Sequence, residues 1–173
     1  DPFASQCTKD FGQFQQTLCR KDCHGIYLSL RNAQHGVDLI TEDDINDGVQ
    51  GKDILGNYDV IYFAGEWVND HAAKRLDAWV KNGGVLYACA GLGRLNQFNQ
   101  PETSLLKLLG LKSVTIQKNA VNVRPILELP LLKPIDTITL DGVQIPAVGM
   151  KQVLTPADAK VIGTWSDGSA LTP

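Results

Sequence analysis

No run of lysine or arginine occurs anywhere in these 173 residues, and sixteen basic residues face nineteen acidic ones for a net charge of −3. The electrostatic footprint of a nucleic-acid binder is therefore missing. No apolar stretch approaches the length of a membrane span, so no membrane-spanning segment is expected. Four cysteines, Cys7, Cys19, Cys23 and Cys89, are too few for a disulfide scaffold at this length. Cys7, Cys19 and Cys23 cluster near the N-terminus, where one disulfide could form outside the cytoplasm. Cys19 and Cys23 are one helical turn apart and also read as small apolar residues on a helix face. Only His24 stands close enough to join them, which is short of a zinc ligand set, so no metal is expected. Histidine is scarce too. His24, His35 and His71 all precede Cys89.

What is present suits a folded α/β chain. Hydrophobic residues make up 43% and charged residues 20%, enough to build a sizeable core. The expectation is one domain over residues 1–173, with a core at about 9–117 and a β-rich appendix at about 118–173. The first residue is Asp1 with no signal peptide, and the chain reads as a piece of a longer polypeptide.

The stretch from Tyr58 to Gly93 organises the rest. Tyr58 to Ala64 is a short apolar run rich in β-formers. Asn69 to Asn82 carries Ala72, Leu76, Trp79 and Val80 at helical spacing. Val85 to Ala90 is a second apolar run after the turn Asn82-Gly83-Gly84. Strand, helix, strand in that order predicts a βαβ unit with parallel strands. Ligands of such sheets bind outside the carboxyl ends of the strands. Those ends hold Gly65, Glu66 and Trp67 after the first strand and Cys89, Ala90 and Gly91 after the second. These six residues form the expected site.

The flanks complete the pattern. A long helix is expected from about Lys9 to Gln34, ended by His35-Gly36. A short strand follows at Val37–Ile40, then Thr41 as the cap of a helical turn through Glu42, Asp43 and Asp44. Those three carboxylates lack the alternating oxygens and glycine of a calcium loop and read as solvated. A helix is expected at Thr103–Leu109, a strand at Ser113–Gln117, and an irregular extended run at 119–132. Thr137–Leu140 and Val143–Ile145 around Asp141-Gly142 predict a hairpin. Gly149–Leu154 and Lys160–Trp165 read as further strands, with a turn at Asp167-Gly168.

Strand, Gly-containing loop, amphipathic helix, Gly-Gly turn and the strand ending Ala88-Cys89-Ala90-Gly91 together resemble the class I glutamine amidotransferase-like superfamily. That resemblance implies a flavodoxin-like three-layer α/β sandwich with a mostly parallel sheet, and places the family's nucleophile at Cys89. Gly25–Asp44, Tyr58-Asp59-Val60 and the tail from Asp136 through Lys160–Gly168 narrow the likeness to β-galactosidase trimerisation-type domains. This implies an accessory or oligomerisation module of a glycoside hydrolase-like protein, partnered by its own copies or by a neighbouring catalytic domain. A secreted or periplasmic setting follows from the same resemblance, and no cofactor is expected.

The residues leave two readings of Cys89. A sharp turn after a strand exposes a nucleophile to backbone N–H groups, with the Gly65-Glu66 loop as a second donor. A cysteine amidase or amidotransferase-like hydrolase also needs an imidazole base, and none follows Cys89. The other reading is a small buried residue at a strand end. Glu66 could equally be a solvated loop acid. Trp67 is the tryptophan placed for sugar contact. Gly91-x-Gly93 lacks the third glycine of a dinucleotide fingerprint.

Overall fold

In a computed structural model the described residues are 18–89, 91, 93–117, 134, 136–147 and 151–172. The chain divides into two compact units, Asp1–Leu108 and Leu109–Pro173. The expected helical start at 9–17 and the irregular run 119–132 lie outside the described residues.

The first unit holds α1 (Leu18–Asn32), α2 (Glu42–Asp47), a 3-10 turn (Leu55–Asn57), β1 (Val60–Ala64), α3 (Asp70–Lys81), β2 (Val85–Cys89) and α4 (Ser104–Leu108). β1 and β2 pair in parallel from Val60↔Val85 to Ala64↔Cys89. α3 joins them, as its period requires: Ala72, Ala73, Leu76 and Trp79 are buried along one stripe. They pack with Ile45, Leu55, Ile61, Val68 and Leu105 in one core. Leu76 is fully buried, so Leu76→Ala would cost about 2–5 kcal/mol. Gly84 is required by this packing, because a Cβ there would sit 2.3 Å from the Trp79 ring.

Local rules set the element ends. Thr41 caps α2 through a reciprocal box, accepting from the Asp44 N–H at 3.2 Å while the Asp44 carboxylate accepts from the Thr41 N–H at 2.7 Å. α1 ends in a Schellman arrangement: the Gln34 N–H donates to the Arg31 carbonyl and the His35 N–H to the Leu30 carbonyl, both at 3.0 Å. The left-handed residue there is Gln34, with φ 63°, not Gly36.

The second unit is a six-stranded sheet in the order β3-β6-β8-β7-β4-β5. Its strands are β3 (Leu111–Gln117), β4 (Asp136–Leu140), β5 (Val143–Ala147), β6 (Lys151–Pro156), β7 (Gly163–Trp165) and β8 (Ala170–Thr172), and every neighbour pair is antiparallel. The Asp141-Gly142 hairpin forms as expected, with φ 48° and 80° at its two central residues, the backbone of a type I′ turn.

The expected fold class is overturned. Among the described residues the parallel pairing is that of β1 with β2 and an isolated bridge between Trp67 and Leu95, and the dominant sheet is antiparallel. This is a mainly β arrangement with four α-helices described, not a three-layer flavodoxin-like sandwich. Two segments explain the difference. Val37–Ile40 forms no strand: Leu39 is 79% exposed, Ile40 turns toward the core, and Asp38 accepts from the Tyr58 hydroxyl at 3.2 Å. The strand expected at Ser113–Gln117 does form, but it pairs antiparallel with β6. Its alternation, with Val114 and Ile116 more covered than Ser113 and Thr115, is that of a sheet solvated on one face.

A buried cation ties this sheet together. Lys151 is 7% exposed. Its Nζ donates to Asp136 Oδ2 at 2.9 Å and to Asp167 Oδ2 at 2.6 Å, and lies 5.2 Å from the Trp165 ring centroid. The Ser166 hydroxyl, Lys151 and the Thr137 N–H hold the Asp136 carboxyl down at about 2. Lys151 and the Ser169 hydroxyl and N–H depress Asp167 as well. The Lys151 ammonium is raised by Asp167 and then Asp136.

Two predictions follow from these contacts. Gln34→Gly removes a left-handed side chain and should raise stability by about 1 kcal/mol, read as a higher urea midpoint at unchanged slope. Depressed carboxylates contribute stability that is complete above their unfolded value near 3.8 and lost as pH falls through the folded one. Acid titration of the melting temperature should therefore show a loss between about pH 4 and pH 2, and Lys151→Met should make that loss shallower. An identical acid profile in the variant would remove the Lys151 clip as its source.

Candidate functional site

The register of the parallel pair sets Ala64 directly beside Cys89, so both strands release their chains at one edge. The expected site residues do gather there, apart from Ala90, which lies outside the described residues. Backbone bonds then sew the two following loops together. The Gly93 N–H donates to the Gly65 carbonyl at 2.8 Å, Leu95 N–H to the Glu66 carbonyl at 3.0 Å, and Val68 N–H to the Leu95 carbonyl at 2.8 Å. Gly91 and Gly93 make this approach possible. Gly91 has φ 101°, and a Cβ on it would stand 3.0 Å from Glu66 Cα.

The polar side chains at this edge are engaged with one another. The Cys89 thiol donates to the Phe63 carbonyl at 3.5 Å. Glu66 is paired with Arg94, their side chains 24% and 36% exposed. Trp67 is 7% exposed and its indole N–H donates to Asn99 Oδ1 at 2.8 Å, so little of its ring is open to a sugar. Asn96, itself buried, holds the covering loop by accepting from the Phe98 and Gln100 N–H groups at 2.9 and 3.0 Å.

The start of α3 is closed in the same way. Helix starts leave backbone donors without partners and attract anions. Here the Asn69 N–H donates to Glu42 Oε1 at 2.5 Å, the Asp70 N–H to Gln97 Oε1 at 3.0 Å, and the His71 N–H to Asn69 Oδ1 at 2.8 Å. Gln97 also donates to Asp70 Oδ2 at 3.2 Å. Burial pushes the Glu42 carboxyl up, offset in part by the Asn69 N–H. Glu42 is thus half-buried and structural, not the solvated acid expected from its neighbours.

His71 is exposed on the first turn of α3, and His24 is exposed on α1. No cluster of three His, Cys, Asp or Glu side chains among the described residues is placed to hold a metal ion, and no described helix is long and apolar enough to cross a membrane. The residues that sequence reasoning missed are Arg94, Gln97, Asn99 and the role of Glu42. Each acts across 27 to 32 residues, beyond the reach of a local pattern.

No protein-family model matches the chain, and no curated protein sequence matches it. Its fold does have solved counterparts. It is similar to part of Gan42B, a GH42 β-galactosidase, with a TM-score of 0.64 over 85% of this chain and 20% of that one, at 18% identity. A catalytic mutant of Gan42B from G. stearothermophilus gives a TM-score of 0.53 over 67% of this chain and 16% of that one, again at 18% identity. The chain thus spans a fifth or less of the length of these structures. The comparisons give the amidotransferase resemblance no support. What they bear out is a fold found within a β-galactosidase chain.

Proposed function

We propose that this chain is a non-catalytic accessory or oligomerisation module of a larger carbohydrate-active, glycoside hydrolase-like protein, working in a secreted or periplasmic setting. The observation that carries this reading is the closed carboxyl edge. The positions where an enzyme of this topology would hold substrate are occupied by the protein's own pairs: Cys89 with Phe63, Glu66 with Arg94, and the α3 amides with Glu42, Gln97 and Asn69. A carbonyl oxygen beside the thiol gives no stabilisation to the thiolate, the nucleophilic form. The likeness to a fifth of a GH42 β-galactosidase chain supports the choice of host.

A module needs a surface to present. One face of β1 and β2 leaves Val60, Tyr62, Val85 and Tyr87 between 42% and 57% exposed. Parallel strands are usually covered on both faces, so this uncharged face supports packing against a second copy or a neighbouring domain.

The module reading makes two measurable claims. Cys89 should react with iodoacetamide at neutral pH no faster than an ordinary unactivated thiol, followed by mass spectrometry of the Cys89 peptide. Sedimentation equilibrium should detect self-association that weakens in Tyr62→Lys. Rapid alkylation of Cys89 together with a monomer at the highest concentration would overturn the proposal in favour of a cysteine hydrolase.

A further inference from the structure

An aspartate or asparagine followed by glycine carries the reagents for its own modification. The side-chain carbonyl carbon faces attack by the next backbone nitrogen, and glycine leaves that nitrogen without a neighbouring side chain. The chain has four such steps: Asp47-Gly48, Asn82-Gly83, Asp141-Gly142 and Asp167-Gly168. We propose that Asp141 is the modification site among them, isomerising to isoaspartate at the tip of the β4–β5 hairpin while the protein stays folded.

The other three glycine nitrogens are held. Gly48 N–H donates to the Asp44 carbonyl at 3.0 Å, Gly83 N–H to the Val80 carbonyl at 2.9 Å and Gly168 N–H to the Trp165 carbonyl at 2.9 Å. The Asp167 carboxylate is held as well, by Lys151 on one oxygen and by the Ser169 N–H and hydroxyl on the other. Asn82 borders the groove at the amino ends of β1 and β2 and is exposed, so access to water does not set it apart from Asp141. The difference lies in the backbone. Asn82 N–H also donates into the last turn of α3, and attack there requires that turn to unwind.

The hairpin tip is built otherwise. A type I′ turn closes through its flanking residues, here Leu140 and Val143, and leaves the amides of its two central residues outside the ladder. Asp141 and Gly142 are both exposed, and a Cβ on Gly142 would meet nothing within 4 Å. Ring closure requires the Asp141 backbone to rotate. That rotation breaks no hydrogen bond of either central residue, and the ends of hairpins open at low cost.

The chemistry needs water and nothing else. The Gly142 nitrogen bonds to Asp141 Cγ, and the carboxyl hydroxyl leaves with the amide proton as water, giving a succinimide. Water then opens the ring. Cleavage at Cγ restores aspartate, whereas cleavage at the backbone carbonyl carbon routes the main chain through Cγ and frees the α-carboxylate. The product has the same atoms and one more methylene in the two-residue loop.

The site is independent of the accessory-module reading and fails or stands without it. The test is prolonged warm storage of the folded chain at mildly acidic pH, with isoaspartate located by electron-transfer fragmentation of its peptides. Isoaspartate at Asp141 should exceed that at Asp47 and at Asp167 by about tenfold, the factor that one extra hydrogen bond imposes on local opening. In urea the three steps should converge. Asp141→Asn keeps a favoured type I′ sequence and so keeps the hairpin, while setting two Asn-Gly steps in one chain. Stored at neutral pH, that variant should lose ammonia faster at position 141 than at Asn82 when folded, and equally fast at both in urea. Isoaspartate spread evenly over the Asp-Gly steps, a lead at Asp141 that persists in urea, or Asn82 reacting first in the folded variant would each overturn the proposal.

Discussion

Three successive amides at the start of α3, those of Asn69, Asp70 and His71, draw distant parts of the first unit together. They follow the loop after β1, where Asn69 and Asp70 are half-buried and His71 is exposed. An acceptor within the chain is worth about 0.5–1.5 kcal/mol for each of them. Glu42 and Gln97 come from 27 residues away on either side to supply two of those acceptors, and Asn69 supplies the third. This one requirement places α2, through Glu42, and the loop after β2, through Gln97. The loop in turn brings Arg94 onto Glu66 and Asn99 onto Trp67. Closing the helix start and closing the ligand edge are therefore one event in this chain.

What the sequence made legible was local. The stripe Ala72–Leu76–Trp79, the Thr41 box, the Gly-Gly turn and the Asp141-Gly142 hairpin all depend on spacings of a few residues, where periodicity and turn chemistry decide the outcome. The gathering of Gly65, Glu66, Trp67, Cys89 and Gly91 at one edge also follows from the βαβ pattern, because parallel strands in register end together. The partner of each strand was not legible. Ser113–Gln117 reads as a strand in either sheet, and only Val153 and Leu154 of β6, some forty residues on, make it antiparallel. Nor could Val37–Ile40 be told from a strand. Four residues of β-forming composition stay unpaired when Ile40 is drawn to the core and Leu39 is left in water.

The second unit meets a different constraint. Its strands are short, β7 and β8 having three residues each, so backbone ladders alone hold them weakly. Lys151 of β6 answers this by reaching Asp136 on β4 and Asp167 in the turn after β7. The Trp165 indole N–H reaches the Gln152 carbonyl at 2.7 Å. A buried ion pair contributes little net stability compared with apolar packing, but breaking it leaves a stranded charge. Such a clip therefore specifies which strands lie together more than it strengthens the sheet. The sequence showed the strands and the turn, but a lysine in an otherwise ordinary strand gave no sign of being inward.

The two ends of the parallel ribbon differ for a physical reason that begins with Trp79. Its ring is large enough that the turn into β2 must pass over it without a side chain, and Gly84 fulfils that. Gly83 beside it has φ 105°, a conformation that disfavours any side chain. A turn made bare by packing cannot fill the space in front of it, so the amino end stays hollow. At the carboxyl end the glycines have the opposite effect. Gly91 and Gly93 let two loops approach to backbone hydrogen-bonding distance, and the space closes. Glycine thus opens one end and seals the other, according to whether a second chain segment is present to take up the room it leaves.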